Sequence, residues 1–308
     1  MDNVDDEAID KMLAAEWSSL QGLELAQCQS LSAECLERLA SKGLERFSPP
    51  ASFSAAAGAL PGVPGALPGV PGGLPGVPGG LPLLEELYLS GNPCGSEGIL
   101  TRCTTNSLPN LEFLELESVG RLSPQAMAAL ANHQALPRSQ KLHLGACQLD
   151  SSVVSAWQEG GLAQRLQVLQ VTSGEIDSVD AQAFWRTDNW TNLKSLKWRG
   201  ALTTEAIVAA AECFGDTLKE LRLSGVRFDD RGVDALVRSQ LLERLVIFEA
   251  TECEITALQA RSLAKAVGPN LFELVVDRHF GEWAAASRLL PVPRARVMAA
   301  GTFLTELH

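Results

Sequence analysis

The sequence predicts an α/β repeat fold, a solenoid of short strands that lead into helices. Two observations predict it. A six-residue unit with apolar residues at its first, fourth and sixth positions recurs with a period of about 24–29 residues. Segments with helical periodicity follow several of these units. Such self-similarity is typical of solenoids, in which each repeat packs against its neighbours, and it therefore outweighs local secondary-structure signals.

The recurring unit is interpreted as a strand that turns its fourth and sixth residues inward. Its first residue closes the turn of the coil, and the second, third and fifth are free to face solvent. The copies are LQGLEL at 20–25, LEELYL at 84–89, LEFLEL at 111–116, SQKLHL at 139–144, LQVLQV at 166–171, LKSLKW at 193–198, LKELRL at 218–223, LERLVI at 242–247 and LFELVV at 271–276.

The segments that return the chain from one strand to the next are predicted to be helical. They are SAECLERLASKG (32–43), SPQAMAALANHQ (123–134), TEAIVAAAECFG (204–215), DRGVDALVRS (230–239) and ALQARSLAKAVG (257–268). Asp229 and Asp230 are predicted to cap the fourth of these helices at its N-terminus. Four aromatic residues of the return segments, Trp157, Phe184, Trp185 and Phe214, are expected in the core. Trp198 is expected there as well, because it takes the place of an inward leucine.

From Leu20 to about Asp277 the units resemble the leucine-rich repeat, L-x-x-L-x-L-x-x-N/C-x-L, in its ribonuclease-inhibitor-like and cysteine-containing intracellular subtypes. The resemblance implies a horseshoe with parallel strands on the concave face, helices on the convex face, and a binding surface on the concave side. The ninth position of the pattern holds Cys28, Asn92, Cys147 and, with a small insertion, Cys253. Other repeats carry Val119, Gly174, Ala201, Val226 and His279 there.

The predicted domain organisation is a short acidic segment followed by one repeat domain. Residues 1–19 are expected to cap the first repeat, and an acidic recruitment tail is the alternative. The repeat domain, 20–308, is interrupted by a Pro/Gly-rich insertion at 48–83 that contains three copies of a seven-residue unit. Proline and glycine at this density exclude helix and sheet, so we expect a disordered excursion. It is either a tolerated duplication or a ligand for a proline-binding groove. The last residues, with Leu304 and Leu307, resemble the start of another unit.

Composition excludes several classes of function. A formal charge of −12 and a pI near 4.9 disfavour nucleic acid and anionic membranes as partners. The acidic N-terminus does not resemble a secretory signal, and no apolar run is long enough to span a membrane. The seven cysteines form no CxxC pair, which favours reduced thiols in a cytoplasmic protein.

Catalytic and cofactor motifs are not found in the sequence. It contains no phosphate-binding glycine loop, no G-x-S-x-G and no H-E-x-x-H, and the four histidines are not at metal-ligand spacing from cysteines or carboxylates. We therefore expect no enzyme activity, no cofactor and no metal. The expected function is to bind a partner protein without catalysis.

The concave face is the predicted binding surface, and fifth-position residues are expected to point into it. They are Glu24, Tyr88, Glu115, His143, Gln170, Lys197, Arg222, Val246 and Val275. Neighbouring residues make the early repeats acidic and the middle ones basic, a pattern that would steer a complementary partner. The predicted partner contacts are Tyr88, Glu115, Glu117, His143, Lys197, Arg199, Arg222 and Phe248, with Tyr88 and Phe248 as apolar anchors.

Three other interpretations remain open. The family resemblance also admits a regulator that activates or inhibits a GTPase or nuclease, or a substrate-recognition subunit of a ubiquitin ligase. The charges on the strand face would, in the simplest case, only keep the sheet soluble.

Overall fold

The computed structural model describes residues 11, 20–26, 83–92, 108–131, 136–172, 175–176, 178–185, 190–214, 217–276 and 296–299. The predicted cap at 1–19, apart from Lys11, and the Pro/Gly-rich segment at 48–83, apart from Leu83, lie outside the described residues. The predicted helix at 32–43 and the terminal residues 300–308 lie outside them as well.

The described residues form one large, entirely parallel sheet. In chain order its strands are β1 (Gly22–Glu24), β2 (Glu86–Tyr88), β3 (Phe113–Leu116), β4 (Lys141–Leu144), β6 (Val168–Thr172), β8 (Ser195–Arg199), β9 (Glu220–Ser224), β10 (Ile247–Thr251), β11 (Glu273–Val276) and β12 (Arg296–Ala299). A second, two-stranded parallel sheet joins β5 (Gln148–Leu149) to β7 (Glu175–Ile176). Each strand of the large sheet pairs with its neighbours in chain order, which requires a crossover between every pair.

The register places equivalent residues of successive units side by side. Leu114 pairs with Leu142, for example, and Leu196 with Leu221. Eight of the nine predicted units are therefore strands in the predicted frame, because the inward leucines must meet at one level to bury a common core.

The predicted unit LERLVI at 242–247 is wrong. Phe248 pairs with Leu221 and Leu274, so the unit is LVIFEA at 245–250. The run LERLVIFEA at 242–250 fits the 1-4-6 pattern both from Leu242 and from Leu245, and Leu241 and Leu242 belong to a short helix. The corrected frame gives spacings of 27 and 26 residues to the flanking units, and it brings Cys253 to the ninth position without an insertion.

Helices fill most of the described crossovers. They are α1 (Pro124–Leu130), α2 (Ser151–Glu159), α3 (Leu162–Arg165), α4 (Ser178–Trp185), α5 (Thr204–Cys213), α6 (Asp230–Arg238), α7 (Leu241–Arg244) and α8 (Ala257–Ala266). The longer helices form a second layer in which α1 packs on α2, α2 on α4, α4 on α5, α5 on α6, and α6 on α8. The four predicted helices within the described residues are thereby confirmed.

Side-chain caps fix where several helices begin. Ser123, Asp150, Thr203 and Thr256 each accept hydrogen bonds from backbone N–H groups of the first turn of α1, α2, α5 and α8, respectively. Asp229 accepts from the Gly232 N–H at 2.8 Å and so caps α6, as predicted. These caps satisfy N–H groups that have no partner inside the helix, and they determine where each of these helices begins.

The core lies between the sheet and the helix layer. Inward leucines of the strands pack there against helix residues such as Met127 and Val153, all nearly inaccessible to solvent. Near the middle of the layer six aromatic rings form a cluster with centroid separations from 4.7 to 6.4 Å: Trp157, Phe184, Trp185, Trp190, Trp198 and Phe214. The five aromatic residues predicted to be core are all buried.

The ninth position of the unit closes the turn after the strand. The buried Asn92 amide donates to the carbonyls of Leu25 and Leu89, at 2.5 and 2.8 Å. The Cys253 thiol lies 3.1 Å from the Thr251 carbonyl and 3.6 Å from that of Leu223. These side chains donate to buried backbone carbonyls that the hydrogen bonds between strands leave without a donor.

Within the described part of the chain, every helix is too short or too polar to cross a lipid bilayer.

Candidate functional site

One face of the large sheet is covered by the core and the other, here called the open face, is not. In β6, Leu169 and Val171 are buried, whereas Val168, Gln170 and Thr172 are partly exposed. The same alternation holds in β9 and β10. The third, fifth and seventh residues of each unit therefore belong to the open face.

The fifth positions form a continuous row across the open face. Strand pairing aligns Glu24, Tyr88, Glu115, His143, Gln170, Lys197, Arg222, Glu249 and Val275. This row matches the predicted one except at β10, where Glu249 takes the place expected for Val246. Comparison of GLAQRLQVLQV (161–171) with QLLERLVIFEA (240–250) would have given the correct frame, because both contain a short helix directly before the strand.

Phe248 is not an exposed anchor. Its side chain is 0% exposed and packs in the core at the level of Leu221 and Leu274. The prediction failed because the shifted frame assigned an inward fourth position of the strand to the solvent side.

Three aromatic rings pack in a row at the acidic end of the open face. The rings of Tyr88 and Phe113 are 4.9 Å apart and those of Phe113 and His143 are 4.7 Å apart, both edge to face. Phe113 is 7% exposed although it lies outside the main core, because its neighbours on this face cover it. Phe113 was not among the predicted contact residues, although it is the one aromatic residue at a third position of the units.

Glutamates surround these rings. The Tyr88 hydroxyl donates to Glu86 at 3.1 Å, and Ser90 donates to Glu115 at 2.6 Å. Burial raises the pKa of the Tyr88 phenol, and the hydrogen bond to Glu86 together with the charges of Glu86, Glu115 and Glu24 raises it further. Three carboxylates therefore lie close enough to Tyr88 to disfavour ionisation of its phenol.

His143 lies 3.8 Å from Glu115, measured from Nδ1 to Oε2, with 21% of its side chain exposed. Burial lowers the pKa of His143, and Lys197 and Lys141 lower it further, against the opposite effect of Glu115 and Glu117. The imidazole is therefore largely neutral near pH 7 and offsets little of the negative charge of the glutamates around it.

Glu117 connects three strands at the seventh position. It accepts hydrogen bonds from Gln170 and Thr172 of β6, and its backbone N–H donates to the Ser90 hydroxyl. The intervening seventh position on the β4 side is Gly145, which has no side chain to block this reach. The predicted contact residue Glu117 is thus held in a fixed orientation.

The predicted basic region is largely neutralised by acids. Arg222 lies 2.7 Å from Glu249 and 3.7 Å from Glu220, and Arg199 lies 3.9 Å from Glu252. Lys197, by contrast, makes no ion pair within the described residues. The basic surface is therefore smaller than expected and consists of Lys197 and its lysine neighbours. The sequence did not predict this, because only the strand register shows which carboxylates lie beside the arginines.

The open face brings together seven of the eight predicted contact residues: Tyr88, Glu115, Glu117, His143, Lys197, Arg199 and Arg222. Phe248 lies on the opposite side of the sheet. Among the described residues, no group of three or more His, Cys, Asp and Glu side chains is placed to hold a metal ion. No protein-family model matches the chain, and no curated protein matches its sequence.

Proposed function

We propose that the chain is a leucine-rich-repeat horseshoe whose open face is the concave surface and whose helix layer is the convex one. Support comes from the parallel strands in chain order, from the helices in the crossovers, and from Asn92 and Cys253 at the ninth position. These features agree with the ribonuclease-inhibitor-like and cysteine-containing subtypes that the sequence resembles.

The proposed function is non-catalytic binding of a partner protein through the open face. The observation that carries the proposal is the row of fifth-position side chains, which differ in chemistry and are held by contacts between strands. Examples are the ring contact of Tyr88 with Phe113 and the hydrogen bond from Gln170 to Glu117. Side chains fixed before binding lose little entropy when a partner docks, so such a row favours specific association.

The extent of the open face favours a protein as the ligand. Ten parallel strands at about 4.8 Å spacing give a surface roughly 40 Å long. A small molecule would contact only two or three strands of it. A protein segment or domain is long enough to contact the acidic and the lysine-containing regions together.

The proposed location is a reducing compartment such as the cytoplasm. Cys147, Cys213 and Cys253 form no disulfide bond within the described part of the chain. The Cys253 thiol donates a hydrogen bond to the Thr251 carbonyl. A disulfide sulfur carries no hydrogen and could not make this bond.

The test is an affinity capture from lysate with three proteins: the wild type, an open-face variant, Lys197→Glu, and a helix-side control, Glu159→Lys. Both substitutions reverse one charge, and Glu159 is an exposed residue at the end of α2. We expect quantitative mass spectrometry to find proteins that Lys197→Glu loses and Glu159→Lys retains. Identical capture by all three proteins would contradict binding through the open face.

A further inference from the structure

The acidic end of the open face carries more carboxylates than cations. In the described residues 20–26, 83–92 and 108–117, six glutamates occur and no lysine or arginine: Glu24, Glu85, Glu86, Glu112, Glu115 and Glu117. All but Glu85 and Glu112 stand at third, fifth or seventh positions and so belong to the open face, and the neighbouring strand β4 places one lysine, Lys141, beside Phe113. At the other end, by contrast, Glu249 and Glu220 are matched by Arg222. Unmatched carboxylates on one surface create a negative potential that attracts a cationic ligand.

The same region offers rings beside these carboxylates. Glu86, Tyr88, Phe113, Glu115 and His143 are defined here as the acid–aromatic patch. Tyr88 packs edge to face with Phe113, and its hydroxyl donates to Glu86. Glu115 is the next residue in the same row and is held by Ser90. A cation seated over Tyr88 would therefore meet carboxylates on both the second and the third strand.

Among protein cations, arginine fits this patch better than lysine. Its planar guanidinium stacks on aromatic rings, and its forked donors match a carboxylate in two parallel hydrogen bonds. It is also more weakly hydrated than an ammonium group, so it loses less on leaving water for a partly covered site. A lysine would be attracted by the charge alone and would gain less from the rings.

We propose that the acid–aromatic patch binds an arginine side chain presented by an extended segment of the partner protein. This inference rests on the proposed function and names the chemistry of the partner at one end of the open face. The guanidinium stacks on Tyr88 and donates to Glu115, while Glu86 and Glu24 contribute longer-range attraction. Phe113 packs edge to face with the Tyr88 ring, and His143 packs edge to face with Phe113. Because burial lowers the pKa of His143, its imidazole is largely neutral near pH 7 and repels the cation little.

The test uses two fluorescein-labelled peptides of glycine and serine that differ in one respect. One carries two arginines separated by a single residue, and the other carries two lysines at the same places. Binding is measured by fluorescence anisotropy at about 0.15 M salt, where long-range attraction between exposed charges is screened. The proteins are the wild type, Tyr88→Leu, Tyr88→Phe, Glu115→Gln and the charge-matched control Glu159→Gln.

We expect the wild type to bind the arginine peptide about fivefold more tightly than the lysine peptide. Tyr88→Leu should lose about fivefold in affinity for the arginine peptide, and Glu115→Gln about tenfold. Tyr88→Phe, which keeps the ring but loses the hydrogen bond to Glu86, should lose less affinity than Tyr88→Leu. Glu159→Gln, which removes a charge elsewhere, should bind like the wild type. Circular dichroism of each variant establishes that it is folded, and Tyr88→Phe and Glu115→Gln preserve shape closely.

Three results would overturn the inference: no binding of the arginine peptide, equal affinity for the two peptides, or equal loss in Glu115→Gln and Glu159→Gln. These results are distinguishable from failure of the proposed function. If Lys197→Glu still abolishes capture of a protein from lysate, the open face binds a partner and only its arginine chemistry is wrong.

Discussion

Arg222 and Glu249 face each other across β9 and β10 and form an ion pair of 2.7 Å, with 29% and 25% of their side chains exposed. A second carboxylate, Glu220, lies 3.7 Å from the same guanidinium. Arg222 therefore stabilises the open face between two strands, and a partner that used it would first have to break this pair.

The first prediction concerns that pair. In a double-mutant cycle with Arg222→Met and Glu249→Gln, we expect a coupling of about 1 kcal/mol in the free energy of unfolding, because the pair is partly shielded from water. The matched control is Arg199 with Glu252, whose side chains are 63% and 67% exposed. Its coupling should stay below about 0.5 kcal/mol. Equal couplings for both pairs in urea denaturation would contradict this assignment.

The second prediction concerns Phe248. Because its side chain is fully buried, Phe248→Ala should lower the free energy of unfolding by about 3–5 kcal/mol. Phe272 has 52% exposure, and Phe272→Ala should cost well under half as much. Urea denaturation measures both. A small effect of Phe248→Ala would mean that the original frame, with Phe248 on the solvent side, was correct.

The third prediction concerns the cap of α6. Asp229→Ala should destabilise the chain by about 1 kcal/mol near pH 7, and Asp229→Asn by much less. The hydrogen bond from the Gly232 N–H lowers the pKa of Asp229 below its usual 3.8. The ionised cap therefore contributes fully above that value and loses its contribution as the pH falls through the lowered pKa. Stability measured against pH should show this loss in the wild type and not in Asp229→Asn.

The fourth prediction concerns His143. Burial lowers the pKa of its imidazole below 6.5, so as the pH falls the unfolded chain takes up a proton before the folded one does. The free energy of unfolding should therefore decrease below about pH 6.5 more steeply in the wild type than in His143→Gln. Glu115 and Glu117 oppose this effect while Lys141 and Lys197 add to it, and all four remain in both proteins. Identical pH dependence would show that His143 is not buried in its neutral form.

Much of the architecture could be predicted because it depends on local spacing. Leucines at fixed intervals specify strands, Ser123 and Asp229 begin helices, and Asn92 falls where a turn needs a donor. The unit at β10 was framed wrongly because LERLVIFEA (242–250) satisfies the pattern from Leu242 and from Leu245. Packing against β9 selects the second frame, which comparison with residues 161–171 also favours.

The candidate site was predictable only in part. Tyr88 and His143 were identified singly, but their link through Phe113 depends on residues from three strands that lie far apart in sequence. The pairing of Arg222 with Glu249 likewise requires the register of β9 and β10. Sequence shows which residues carry charge; the alignment of strands determines which charges cancel.

The central claim, that the open face binds a protein, is tested most directly by site-specific photocrosslinking. A photoreactive phenylalanine derivative is placed at Val168, a partly exposed third-position residue in the middle of the open face, or at Ser155, an exposed residue of α2. After irradiation in lysate, we expect a discrete crosslinked protein from position 168 and none from position 155. A crosslinked protein from position 155 alone, or the same pattern from both positions, would contradict the claim.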